Sequence, residues 1–338
     1  MSNAPVRRIL VALTALGALA VLAGCGGASD TSGGNAAAAA ASGKPTLALV
    51  AYSTPQVVYD EAIPAFQKTA QGKGIGFTQS YGASGDQSRA VAGGQPADVV
   101  ELSLAPDVTR LVKAGIVASD WDATPTKGFL TDSVVALIVR KGNPKHVKGW
   151  ADLLRPGVNV VTPNPFTSGA AKWNLLGAYV YGGLPYVKQL ISQHVKVQPK
   201  SGREALQTFT GGEGDVLISY ENEAITAQQK GEQVDYVIPP QNILIQNPVA
   251  VTRTSKHPDE ANSFVAFLES AAGQRLFAKR GYRPVDPSVA KQFHFPMPAD
   301  LKTIDDLGGW SKVDDQLFDP DKGSVAQIEQ DAGVSTAK

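Results

Sequence analysis

The residues best placed to do chemistry are hydroxyls beside Gly or Pro, at points where an apolar run gives way to a helical one. Ser53-Thr54-Pro55 follows the run Thr46–Tyr52, and Ser84-Gly85 follows residues 76–81. Thr167-Ser168-Gly169 follows residues 158–162 after a Pro163-Asn164-Pro165 turn, and Ser201-Gly202 follows residues 194–198. Ser and Thr are good helix N-caps and Pro suits a first helical turn, so plain capping explains any single one. Four together point to a ligand site. Helix N-termini offer unpaired main-chain N–H groups and the positive end of the helix dipole, and glycine lets a ligand approach the backbone closely. Ligands of open α/β sheets bind beyond the carboxyl ends of the strands. Such a site suits an anion and needs no Lys or Arg.

Other chemistries fare worse. The four histidines (His146, His194, His257, His294) are scattered and form no helical zinc pair. The single cysteine excludes a disulfide scaffold or a Cys-rich metal site. A hydrolase would want a G-x-S-x-G elbow, and Gly82-Ala83-Ser84-Gly85-Asp86 lacks the second glycine. An iron site would want clustered Tyr, His or carboxylate ligands. No catalytic residue, metal or cofactor is expected. Lys+Arg and Asp+Glu balance at 31 each, so no cationic field is available for nucleic acid.

The elements that must position these hydroxyls alternate. Residues 46–52, 76–81, 97–102, 133–140, 158–162, 194–198, 215–220 and 234–238 read as strands, with helical stretches after most of them. That is an α/β architecture with largely parallel sheets. Ala261, Phe264, Val265 and Leu268 keep the spacing of an amphipathic helix. At 338 residues the chain is long enough for two domains. Ahead of them, Arg7 and Arg8 precede an apolar run from Ile9 to Gly24, too short to span a bilayer, which reads as a secretory signal over residues 1–24. Leu22-Ala23-Gly24-Cys25 resembles a bacterial lipobox, in which the cysteine is lipidated and becomes the first mature residue. Residues 26–45 are small and polar, so residues 25–45 are expected to be a lipidated cysteine and a flexible tether reaching roughly 25 Å.

Five stretches carry a resemblance to a known family. They are TPNPFTSGAAKWN at 162–174, VRKGNPKHVKGW at 139–150, SYGASGDQ at 80–87, ADVVELSLAPD at 97–107 and GDVLISYENEA at 214–224. With Gly281-Tyr282-Arg283-Pro284 and Gly308-Gly309-Trp310, they resemble, in order over residues 46–315, the bacterial sulfate-binding proteins of ABC importers. The likeness is strongest to the lipid-anchored members of actinobacterial type. It implies a type II, bilobed periplasmic-binding-protein-like fold, with two α/β domains joined by two crossover strands. Lobe I would take residues 46–131 and 248–338, with the tail packed on it, and lobe II residues 132–247. The crossings would fall near residues 131–139 and 238–249.

The resemblance further implies a monomer that closes around one dehydrated sulfate, held mostly by main-chain N–H groups. The protein would be secreted across the cytoplasmic membrane, lipid-anchored to its outer face, and read by permease subunits served by a cytoplasmic ATPase. The family's positions fall on Ser53, Ser84, Ser168, Gly169, Ala170, Gly202 and Tyr220. Ser53 stands where Asp is common, and Tyr220 replaces a Trp whose indole donates, which makes thiosulfate an alternative ligand. Molybdate and tungstate share the tetrahedral shape. Lys172, Arg203, Glu221 and Glu223 are expected to form ion pairs around the site. About seven bonds to a charged group, at roughly 1.5–3 kcal/mol each, suffice for micromolar affinity, which needs about 8 kcal/mol. With neither sulfate nor amide donors titrating, affinity should be flat from about pH 5 to 8.

Overall fold

The computed structural model describes residues 30–32 and 45–337; the signal and lipobox readings lie outside them. In chain order the first elements are β1 (Asp30–Ser32), β2 (Thr46–Tyr52), α1 (Gln56–Gln67), β3 (Gly76–Gly82), α2 (Ser84–Ala92), β4 (Val99–Glu101), α3 (Ala105–Lys113) and the long β5 (Phe129–Arg140). Then come β6 (Val160–Val161), α4 (Gly169–Gln189), β7 (Val195–Val197), α5 (Gly202–Thr210), β8 (Val216–Tyr220), α6 (Glu221–Gln229), β9 (Val234–Val237) and the long β10 (Gln241–Val251). The C-terminal part adds α7 (Pro258–Glu269), α8 (Ala271–Lys279), β11 (Arg283–Pro284), α9 (Pro287–Ala290), β12 (Asp300–Lys302), α10 (Gly309–Val313) and α11 (Ser324–Asp331). Local chemistry accounts for most of these. In α7, Pro258 starts the helix, Asp259 and Glu260 face its positive end, and Ala261, Phe264 and Leu268 are fully buried.

Two half-sheets repeat one plan. In the first the order is β3-β2-β4, all parallel, with the end of β10 antiparallel beside β4. In the second it is β7-β6-β8, again parallel, with the end of β5 antiparallel beside β8. Each reads second, first, third, long strand. The long strands join the halves: β10 pairs β5 from Leu244↔Val134 to Pro248↔Phe129 before its last residues move on to β4. Because all the parallel strands of a half run the same way, their carboxyl ends form one rim, and the crossover brings the two rims face to face. The α/β expectation holds.

The structure departs from the expectations in two places. Asp30–Ser32 falls within the stretch read as flexible tether, yet it runs antiparallel to β3, opposite Tyr81, Ser80 and Gln79. The edge of β3 presents a row of unpaired main-chain groups, which almost any backbone can join. The tail does not pack on the first half. β12 runs beside β10 at Gln241–Ile243, and beyond it the chain lies on α4 and its neighbours. The Trp310 and Trp173 rings meet at 4.8 Å, Asn164 Nδ2 donates to Ser335 O at 2.9 Å, and Gln198 Nε2 to Glu329 Oε2 at 2.7 Å. The tail's apolar residues, Val313, Leu317 and Phe318 among them, take their cover from the second half and are buried there.

Candidate functional site

The strand ends bring the expected hydroxyls and glycines together. Ser53, Ser84, Ser168, Gly169, Ala170, Gly202 and Tyr220 are all buried. Ser168 and Ser201 are N-caps, their Oγ atoms accepting from Ala171 N at 3.4 Å and Glu204 N at 3.2 Å. Capping and ligand presentation are thus one arrangement: the cap serves the N–H deeper in the helix, and those of the first turn remain. Among the described residues, the N–H groups of Ser53, Ser84, Gly169, Ala170 and Gly202 donate to no protein group. Left buried without an acceptor, such groups are unfavourable.

The five belong to both halves and meet across the cleft. A Cβ added to Gly202 would lie 3.3 Å from Thr54 Cγ2, 3.7 Å from Ala170 Cβ and 3.2 Å from Glu223 Oε2. A Cβ on Gly169 would lie 2.8 Å from both Ser103 Cβ and Leu104 Cδ2, in the loop after β4. Gly85 N donates to Thr167 O at 3.1 Å, and Arg203 N to Ser53 Oγ at 3.5 Å, each joining one half to the other. Gly169 is required by contact rather than by backbone angle, since a side chain there would press on the opposite half; at Gly202 the neighbours would have to give by only a few tenths of an ångström.

The side chains divide into two sets. Ser84 Oγ turns inward, donating to Asp107 Oδ2 at 2.7 Å and accepting from Ser103 N at 2.9 Å, so that only its N–H faces the site. Tyr220 is fully buried with its hydroxyl 2.7 Å from Ser103 Oγ, and burial raises its pKa, so the phenol stays neutral. Thr54 Oγ1 meets the Tyr282 hydroxyl at 3.0 Å. Of the four expected ion-pairing residues, two border the site. The Arg203 guanidinium donates to Ser53 O, and Glu223 accepts from Ser219 Oγ beside Gly202. The other two are held elsewhere: Lys172 Nζ binds Asp314 at 2.5 Å over the Phe318 ring, and Glu221 binds Arg283 at 2.7 Å.

Two buried carboxyls have their acidity weakened. Burial pushes Glu223 up to about 7, and pushes Glu101, at the end of β4, up to about 8. Near neutral pH the site's surroundings therefore carry less negative charge than the sequence suggests. Sequence reasoning missed Ser103, Asp107 and Glu101, and named Thr54 only as part of the Ser53-Thr54-Pro55 turn. Ser103 obeys the same rule as the others, a hydroxyl between a strand and a helix, but no Gly or Pro stands next to it.

Amide donors from both halves and hydroxyls, beside carboxyls whose burial favours their protonated form, are an arrangement suited to a small anion. Comparison with known proteins agrees. Residues 47–283 match the family described as bacterial extracellular solute-binding protein. A sulfate-binding protein of Synechococcus elongatus is 43% identical over 98% of this chain and 99% of its own length. A thiosulfate-binding protein of Pseudomonas aeruginosa is 34% identical over 82% of this chain and 91% of its own. Among solved structures, the sulfate-binding protein SubI from Mycobacterium tuberculosis H37Rv superposes with a TM-score of 0.80 and 51% identity, over 81% of this chain and 100% of that one. The type II periplasmic-binding-protein fold expected from the sequence is therefore present. By fold and relatives alike, the chain belongs to the bacterial extracellular solute-binding proteins and, within them, to the family of the sulfate-binding proteins.

Proposed function

We propose that the chain captures sulfate between its two lobes and delivers it to the permease of an ABC importer. The observation that carries this reading is the set of five buried main-chain N–H groups from both halves with no acceptor of their own. Sulfate is fully ionised near neutral pH and only accepts, so a donor-lined site satisfies all of its oxygens. Phosphate keeps a proton that would face an N–H. The lobes comprise residues 46–131 with 248–304, and residues 132–247 with the tail. Sulfate binding selects the closed arrangement from an open–closed equilibrium, and the permease reads it. The role is binding, without catalysis. The chain acts as a monomer held outside the cytoplasmic membrane by a lipid on Cys25, and Cys25→Ala should release it from membranes with anion binding unchanged.

Thiosulfate is the second reading, favoured by the relative that binds it and by Tyr220. Calorimetric titration of the unlipidated chain with sulfate, thiosulfate, molybdate, tungstate and phosphate decides among them. Sulfate should bind at micromolar affinity or better and phosphate poorly. Tighter binding of any other anion overturns the assignment.

A further inference from the structure

We propose that Ser103 is a further ligand-contacting residue of the anion site and that Tyr220 acts through it. This rests on the reading of the site as one for a dehydrated tetrahedral oxyanion. Ser103 lies in the loop between β4 and α3 and is fully buried. Its main chain is anchored on both sides. Its N–H donates to Ser84 Oγ at 2.9 Å, and its carbonyl accepts from Trp173 Nε1 at 2.9 Å and Asn247 Nδ2 at 3.0 Å. Trp173 stands on α4 in the second half and Asn247 on β10, so the position of Ser103 is set where the halves meet.

Its side chain then stands between two expected ligand positions. Ser103 Oγ is 2.7 Å from the Tyr220 hydroxyl and 2.9 Å from where a Cβ on Gly169 would sit. A phenol is the better donor and the poorer acceptor of the two hydroxyls, because its lone pair delocalises into the ring. Tyr220 therefore donates and Ser103 Oγ accepts. The pair has two hydroxyl protons and the bond between them uses one. Among the described residues Ser103 Oγ makes no other hydrogen bond. A hydroxyl buried this completely requires an acceptor. The second proton is left for an acceptor near Gly169, and that acceptor is an oxygen of the bound anion. A hydroxyl relay thus stands where the family's indole donates directly, and the phenol orients the serine.

Sulfate titrations of the wild type, Ser103→Ala, Ser103→Cys, Tyr220→Phe and the Ser103→Ala/Tyr220→Phe double variant test this, with melting curves of each sulfate-free protein. Ser103→Ala should weaken binding at least tenfold. Ser103→Cys keeps the volume but offers a poor donor, and should weaken binding at least fivefold. The double variant should lose about as much as the worse single variant, because one relay is removed in either case. Should Ser103→Ala fail to fold, Ser103→Cys decides. Sulfate affinity within twofold of wild type for the Ala or Cys variant overturns the proposal, as do losses that multiply in the double variant or a lowered melting temperature with unchanged affinity. A wild type that binds no sulfate removes the reading of the site itself, and the role of Ser103 with it.

Discussion

At the scale of single residues, Ser168 and Gly169 hold adjacent places and fail differently. Ser168 Oγ accepts from Ala171 N as an N-cap, which leaves its O–H free for an anion. Ser168→Ala should lower sulfate affinity by about 1.5–3 kcal/mol, and the lost cap should lower the stability of the sulfate-free protein by about 1 kcal/mol, a few degrees in melting temperature. Gly169→Ala keeps its N–H, but the new Cβ would stand 2.8 Å from Ser103 Cβ and Leu104 Cδ2 in the opposite half. Closure should fail, with affinity down at least tenfold and the melting temperature of the open, sulfate-free form nearly unmoved. Calorimetry and melting curves on the two variants separate the effects. Wild-type affinity in Gly169→Ala would mean that the halves do not meet at this contact when the ligand is bound. The serine was legible from the sequence as a cap beside a glycine. Its ligand position followed from resemblance, but the contact of Gly169 with Ser103 and Leu104 did not, because that depends on what lies opposite.

At the scale of elements, α4 joins the site to the tail. Its first turn presents Gly169 and Ala170 to the cleft, while Lys172 points away to Asp314 and the Phe318 ring. Charge at this N-terminus is therefore engaged on the outer face, and the unpaired, buried amides and the dipole are what the helix offers an anion. Lys172→Ala should change sulfate affinity less than about threefold and detach the tail more readily, at about 1 kcal/mol or less for a partly exposed pair. Limited proteolysis after residue 304 should quicken in the variant. A loss of affinity greater than tenfold would instead show that this lysine holds the anion. The strand ends and caps of α4 and α5 follow from local signals. The packing of the tail does not, because the surface that buries Phe318 and partly covers Trp310 is chosen by shape and apolar contact rather than by chain order.

At the scale of the whole molecule, the two buried carboxyls should make binding and stability depend on pH where amide donors alone would not. Glu223 is raised to about 7 and Glu101 to about 8 by burial, from an ordinary 4.5. Each therefore holds its proton more tightly folded than unfolded. Their stabilising contribution is complete below about pH 4.5 and is lost as pH rises through about 7 and 8, by about a few kcal/mol for each. A dianion beside Gly202 also favours neutral Glu223. Sulfate affinity should thus be level up to about pH 6 and fall by up to tenfold per pH unit above 7, with proton uptake on binding. This narrows the flat range of about pH 5 to 8 expected from the sequence. Titrations at pH 5.5, 7 and 8.5 should show the decline, and Glu223→Gln should remove much of it. An unchanged slope in Glu223→Gln would assign the effect to Glu101.

What the sequence determined by itself was the α/β order, the strand ends and the N-terminal hydroxyl-and-glycine turns. Periodicity and helix-end chemistry act over a few residues and so are written locally. Seven candidate positions, from Ser53 to Tyr220, could be named that way and by resemblance, and the fold buries all of them where its two halves meet. Only the tertiary structure decided the rest. Ser103 acquires its role from Tyr220, 117 residues away, and Lys172 is drawn off by Asp314, 142 residues away. Glu223 and Glu101 become weak acids because packing removes water from them. Hydrogen-bond partners and desolvation are properties of a three-dimensional neighbourhood, and distant segments create it when the two half-sheets close.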